Sequence, residues 1–209
     1  MIEIGFKKIE LEDKDLITHY FKHHTSRSCE RTFVNVYLWA RFYHVKFAEV
    51  EHTLVFRTED EDGFSFAYPA GEPENVKKAL DVLMVYSKER GVPFLMYTVT
   101  PDNFEYLEKW YPGRFEIEYV EGDADYVYES EKLATLSGKK LHSKRNHVNK
   151  FKIVYADRWS YEPISEDNLE ECVQTGLKWR NENGCEEDEE KNAELCVTLN
   201  SLRLFKELD

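Results

Sequence analysis

Lys139-Lys140-Leu141-His142-Ser143-Lys144-Arg145-Asn146-His147-Val148-Asn149-Lys150-Phe151-Lys152 decides how this chain is read. The stretch holds six Lys or Arg and no Asp or Glu, in a chain of net charge -13. A uniformly acidic surface repels nucleic acid and anionic lipid, so an isolated basic segment marks the place where a polyanion would be tolerated. At helical spacing Lys140, Lys144 and His147 share one face, and Leu141, Arg145 and Val148 share another. Arg145 therefore sits among apolar residues and is expected to be partly buried, with Asp125 as a candidate carboxylate partner. Two readings stay open. The segment is a phosphate-contacting helix, or it is a linker helix whose lysines are solvated or paired with the acids of residues 182–190.

Working outward, Asp125-Tyr126-Val127-Tyr128 alternates as a strand, with Asp125 and Val127 on one face and Tyr126 and Tyr128 on the other. Its tyrosines serve either packing or a cleft wall, since Tyr joins an apolar body to a hydroxyl. After the basic helix, expected over residues 137–151, residues 152–161 read as a strand. Residues 165–179 read as a helix with Leu169, Cys172, Val173 and Leu177 inward. Residues 181–190 form an acidic loop or frayed helix start. Leu195, Leu199, Leu202 and Phe205 mark a final helix.

The first ~120 residues read β-α-α-β-β-β-α-β-α-β. Helices are expected over residues 13–21, with Leu16/Ile17 and Tyr20/Phe21 on one face, and over 32–41, with Phe33, Val36, Tyr37 and Ala40 inward. Strands follow at 43–50, 53–57 and 64–68, with a hairpin turn at Glu59-Asp60-Glu61-Asp62-Gly63. The next helix has Pro73 at its start, Gly91 at its end and an apolar stripe of Val76, Leu80, Leu83 and Met84. A short strand at 93–99, a helix at 102–110 and a strand at 114–120 complete the set. Two early helices followed by an antiparallel meander fit an N-acyltransferase fold better than a doubly wound nucleotide fold, which alternates strand and helix from the start.

Three blocks of residues carry a specific resemblance: Asp125-Tyr126-Val127-Tyr128, then Leu133-Ala134-Thr135-Leu136-Ser137-Gly138-Lys139-Lys140, then His142-Ser143-Lys144-Arg145-Asn146-His147-Val148-Asn149-Lys150-Phe151. Together they resemble the family named for the C-terminal domain of phosphatidylglycerol lysyltransferase. Phe33-Val34-Asn35-Val36-Tyr37-Leu38-Trp39 and Tyr68-Pro69-Ala70-Gly71 support it. The resemblance implies a mixed α+β chain built on acyl-CoA N-acyltransferase-like units. One complete unit is expected over residues 1–121, and the start of a second, with the basic linker helix, over 122–209. It implies an acyl or aminoacyl transferase that moves an activated group from aminoacyl-tRNA or acyl-CoA to an amine or hydroxyl, with no further cofactor required. Members of the family run on beyond the length seen here, so the second unit is expected to be incomplete and the chain inactive alone. An unfinished sheet edge would then favour self-association.

The expected substrate- or phosphate-binding residues are Lys140, Lys144, Arg145, Asn146, His147, Lys150, Asp125 and Tyr126. The alternative function is a non-catalytic module that holds tRNA or another polyphosphate on residues 139–152, since each Lys or Arg can neutralise a phosphate. His142 and His147 could serve as a general base because imidazole titrates near neutral pH, although surface and capping histidines are commoner. No catalytic residue is singled out. The turn Tyr68-Pro69-Ala70-Gly71-Glu72-Pro73 opens a helix, but one Gly beside acids makes a poor anion cradle, so the first unit reads as a scaffold without a donor site.

The remaining features set bounds. With 42% hydrophobic, 33% charged and 14% aromatic residues, the 209-residue chain is folded rather than disordered. No apolar run approaches the ~20 residues of a membrane span. Met1-Ile2-Glu3-Ile4-Gly5 reads as a strand with no targeting signal, and a cytoplasmic protein is expected. Cys29, Cys172, Cys185 and Cys196 lack metal or redox spacing and are expected to be reduced thiols. Trp39, Trp110, Trp159 and Trp179 are expected in the core. His23 and His24 are expected to complement the negative end of the first helix.

Overall fold

The computed structural model describes residues 1–22, 26, 28–61, 63–184 and 188–208. The chain is mixed α+β, with a single four-stranded sheet among the described residues. It divides into two compact units, Met1–Glu118 with Val173–Asp209, and Tyr119–Cys172. Residues 173 onward group with the N-terminal unit.

In the larger unit, strands β1 (Lys46–Val50), β2 (Thr53–Asp60), β3 (Gly63–Ala67) and β4 (Met96–Tyr97) lie in that order. β1 and β2 pair antiparallel from Lys46↔Arg57 to Val50↔Thr53. The intervening Glu51 and His52 both have positive φ, which matches the twist a two-residue hairpin needs. β2 and β3 pair antiparallel from Arg57↔Phe66 to Asp60↔Gly63, with the expected acidic turn between them; its Asp62 lies outside the described residues. β3 and β4 are parallel, so a crossover is required. That crossover is α3 (Pro73–Arg90), which starts with Pro at its first turn and stops at Gly91 in the left-handed region. The N-terminal segment forms a bridge, Lys7↔Phe47, at the outer edge of β1 rather than a full strand.

Helices cover both faces of the sheet. On one face α1 (Lys14–Lys22) and α2 (Phe33–Trp39) bring Ile17, Phe21, Phe33 and Val36 against Phe47, Leu54, Phe56 and Ala67. On the other, α3 sets Ala79, Leu83 and Tyr86 against Ala48, Val50, Val55 and Phe66. Alternation along β1 and β2 sends these two sets to opposite faces. The α3 stripe is legible in sequence: Val76, Leu80 and Leu83 are buried and Met84 is partly so. α4 (Pro101–Trp110), capped by Thr100, packs Leu107 against Val76 and Leu80.

The smaller unit holds α5 (Ser130–Thr135), a 3-10 turn at Lys139–Leu141, and α6 (His142–Tyr155). None of its described residues is fully buried. α7 (Leu169–Glu182) runs from this unit into the larger one, followed by α8 (Glu189–Arg203) and the short α9 (Phe205–Leu208). Gly176 on α7 lies where an added Cβ would touch Leu195 of α8 at 3.5 Å, and Leu208 joins the core beside α1 and α2.

Several expectations are corrected here. Residues 152–161 are not a strand; α6 continues through Lys152-Ile153-Val154-Tyr155 and ends at Ala156, whose φ is positive. The β-branched pair favours a strand locally, but each added residue of an existing helix gains one hydrogen bond without a new nucleation step. Residues 114–120 and 125–128 form no strand, because no described segment pairs with them. Trp159 and Trp179 are exposed rather than in the core, and Trp39 and Trp110 are only partly buried. Leu169, Cys172, Val173 and Leu177 are partly buried. Cys29, Cys172 and Cys196 form no disulfide among the described residues. Cys185, His23 and His24 lie outside the described residues, as does part of the acidic stretch 181–190.

Candidate functional site

The basic stretch forms its site at the start of α6. Leu136 adopts a left-handed conformation, φ 49, and ends α5. Gly138 follows with φ 90 and ψ 165, a region that residues with a Cβ rarely enter. Nothing lies within 4 Å of where its Cβ would be, so the requirement for glycine comes from the backbone alone. The chain then takes one 3-10 turn through Lys139, Lys140 and Leu141 before α6 starts at His142.

Arg145, one turn into α6, reaches back over this loop. Its Nη1 donates to the carbonyl oxygens of Leu136 and, at 2.9 Å, of Gly138. Arg145 is partly buried, as its place on the apolar face predicts. The expected partner is corrected: the guanidinium is held by two backbone carbonyls, and Asp125 is exposed and does not pair with it. Carbonyl oxygens carry only partial charge, so Arg145 keeps its full positive charge beside the loop it braces.

Ser137, Gly138, Lys139, His142 and Arg145 line an open concavity at this point. No acid stands in the first turn of α6, and no side chain caps its amino end. The first N–H groups of a helix lack intrahelical partners and carry the positive end of its dipole. Two cationic residues, Lys139 and Arg145, an imidazole and a helix amino terminus therefore share one surface. Lys140, Lys144, His147 and Lys150 are all exposed. Asn146 Nδ2 lies 3.3 Å from His142 Nε2, which ties the imidazole to the same helical face.

Of the residues expected from sequence, Lys140, Lys144, Arg145, Asn146, His147 and Lys150 stand on this turn and helix. Asp125 and Tyr126 belong to the extended segment before α5 and are exposed; the rings of Tyr126 and Tyr128 stack at 6.5 Å. Sequence reasoning did not single out Ser137 and Gly138 as lining residues, and it included Lys139 only as part of the basic stretch 139–152. The signal was present, since a glycine directly before a basic helix marks backbone that can approach a ligand closely.

Residues 21–209 match the sequence pattern of the family described as phosphatidylglycerol lysyltransferase, C-terminal. The chain belongs to this family. A crystal structure of a conserved protein of unknown function from Bacteroides thetaiotaomicron resembles this family member with a TM-score of 0.90 and 32% identity. The match covers 99% of this chain and 69% of that one. An uncharacterised protein of Mycoplasmoides gallisepticum is 31% identical over 90 residues, which is 43% of this chain and 29% of that protein. The lysyltransferase-family chain thus aligns with less than a third of the length of that curated relative. Among its described residues, no helix is long and apolar enough to cross a membrane.

Proposed function

We propose that this family member is part of an acyl or aminoacyl transferase of N-acyltransferase-like fold, acting in the cytoplasm. It transfers an activated group from aminoacyl-tRNA or acyl-CoA to an amine or hydroxyl acceptor. The concavity at the start of α6 holds a phosphate of the donor. The observation that carries this reading is the acid-free loop and helix start, with Lys139, Arg145 and the uncapped amino end of α6 around one hollow. Both donors are polyphosphates, and each phosphate placed there would meet full and partial positive charge together. Lys140, Lys144 and Lys150 extend the charge along the exposed helix, which suits a backbone longer than one phosphate. His142, on the lip of the hollow, is placed to exchange a proton with a bound group or with water.

The test is binding of unacylated tRNA and of CoA as a function of salt. Affinity for the true donor should fall linearly on a logarithmic scale, and Lys139→Ala or Lys144→Ala should each reduce the slope by about one. Affinity that is independent of salt and unchanged in both variants would refute the site. Transfer from labelled aminoacyl-tRNA or acyl-CoA to amine and hydroxyl acceptors then separates catalysis from a module that only binds polyphosphate.

A further inference from the structure

His142, the first residue of α6, and Asn146, one turn later, form a hydrogen-bonded pair, with Asn146 Nδ2 3.3 Å from His142 Nε2. Residues four apart on a helix are neighbours, so the helix itself brings the two side chains together. Both are exposed. Three residues on from His142 stands Arg145, whose guanidinium is turned away to the carbonyls of Leu136 and Gly138. α6 carries no Asp or Glu along its length, so no carboxylate of this helix competes with Asn146 for the ring.

The two nitrogens of an imidazole are distinct, and the hydrogen bond that one of them makes decides where the proton of the neutral ring sits. An amide Nδ2 only donates. His142 Nε2, facing it, is therefore the acceptor, and the proton of the neutral ring lies on Nδ1. Without such a partner the ring exchanges between both tautomers.

His142 also lines the hollow at the start of α6, with Ser137, Gly138, Lys139 and Arg145. A phosphate oxygen brought there is repelled by a bare ring nitrogen and held by an N–H. With Nε2 occupied by Asn146, the nitrogen left free is the one that carries the proton.

We propose that Asn146 is a positioning residue for this site: by donating to His142 Nε2 it fixes the Nδ1–H tautomer, so that the neutral imidazole offers a bound phosphate oxygen a hydrogen bond rather than a lone pair. The part that concerns the ligand rests on the phosphate reading of the hollow. The tautomer itself does not.

The first experiment is NMR of the ring nitrogens in the 209-residue chain without ligand, at about pH 8.5, above the ordinary histidine range. The His142 signals, identified by their loss in His142→Ala, should show a protonated Nδ1 and a bare Nε2. Asn146→Asp, which keeps the shape but only accepts, should move the proton to Nε2. A protonated Nε2 in the parent, or one tautomer in both proteins, overturns the proposal.

The second is a double-mutant cycle read by binding of unacylated tRNA and of CoA. Asn146→Ala should weaken the bound probe about two- to tenfold, the range of one hydrogen bond, and should have no effect in the His142→Ala background. Equal losses in the two backgrounds would show that Asn146 does not act through His142, and would overturn the proposal. Both are exposed helix positions at which Ala is the better helix former, so the variants should fold. If neither tRNA nor CoA binds the parent chain, the phosphate reading fails, and the ring-nitrogen measurement still decides whether Asn146 sets the tautomer.

Discussion

Arg145 donates to the carbonyl of Gly138 at 2.9 Å, so a side chain one turn inside α6 braces the loop that leads into that helix. Gly138 can present its carbonyl this way because its φ of 90 and ψ of 165 are open to glycine. Gly138→Ala should therefore disturb the loop through its backbone alone, at a cost of about 1–3 kcal/mol at that residue. Since no neighbour obstructs the new methyl group, the unfolding midpoint should fall by no more than this backbone cost, while tRNA or CoA affinity falls about tenfold or more. Titrations and urea unfolding on the same variant check both halves.

The stability of the chain should reside in the larger unit. Leu83 is fully buried between α3 and the sheet, beside Val55 and Phe66. Leu83→Ala should cost about 2–5 kcal/mol by lost transfer energy and a residual cavity. Ile153, on α6, is 79% exposed. Ile153→Ala should stay within about 0.5 kcal/mol of the parent. Urea midpoints of the two variants give the comparison.

Arg57 is a cation held inside the α3 face of the sheet. It is 9% exposed, donates to Tyr86 Oη at 2.5 Å and pairs with Glu59. Its guanidinium lies 4.4 Å from the centre of the Phe6 ring and 5.5 Å from that of Phe64. Arg57→Met keeps most of the volume but removes these contacts, and should destabilise by about 2 kcal/mol. Tyr86→Phe, which removes only the acceptor hydroxyl, should cost less. Chemical denaturation of both variants provides the check.

Acid should weaken the fold in part through Glu59. Its hydrogen bond with Lys46 at 2.9 Å, helped by the charge of Arg57, holds the carboxyl below the usual glutamate value despite partial burial. Because the folded value is depressed, this contribution is present above the unfolded glutamate value of 4.5 and is lost as pH falls through the folded value. Glu59→Gln should therefore lower stability near neutral pH and flatten the loss between about pH 5 and 3. Urea midpoints measured across that range in both proteins test the sign.

Where sequence and structure part, the reason is local. α3 could be read directly, since Pro73, Gly91 and the spacing of Val76, Leu80 and Leu83 all specify the same helix. Lys152-Ile153-Val154-Tyr155 misled because β-branched residues favour a strand, whereas α6 was already nucleated and the rings of Phe151 and Tyr155 meet at 4.8 Å one turn apart. Asp125 looked like the partner of Arg145 by charge, but a charge pattern carries no information on how far a side chain reaches or where the preceding carbonyls point.

The sequence by itself determined the family, the alternating faces of β1 and β2, and the basic, acid-free start of α6, because periodicity and charge are properties of neighbours along the chain. Only the tertiary structure decided that Arg145 braces Gly138 and that Leu208 returns to the core beside α1 and α2. Those outcomes depend on contacts between residues distant in sequence and on backbone angles set by packing, neither of which residue order encodes locally.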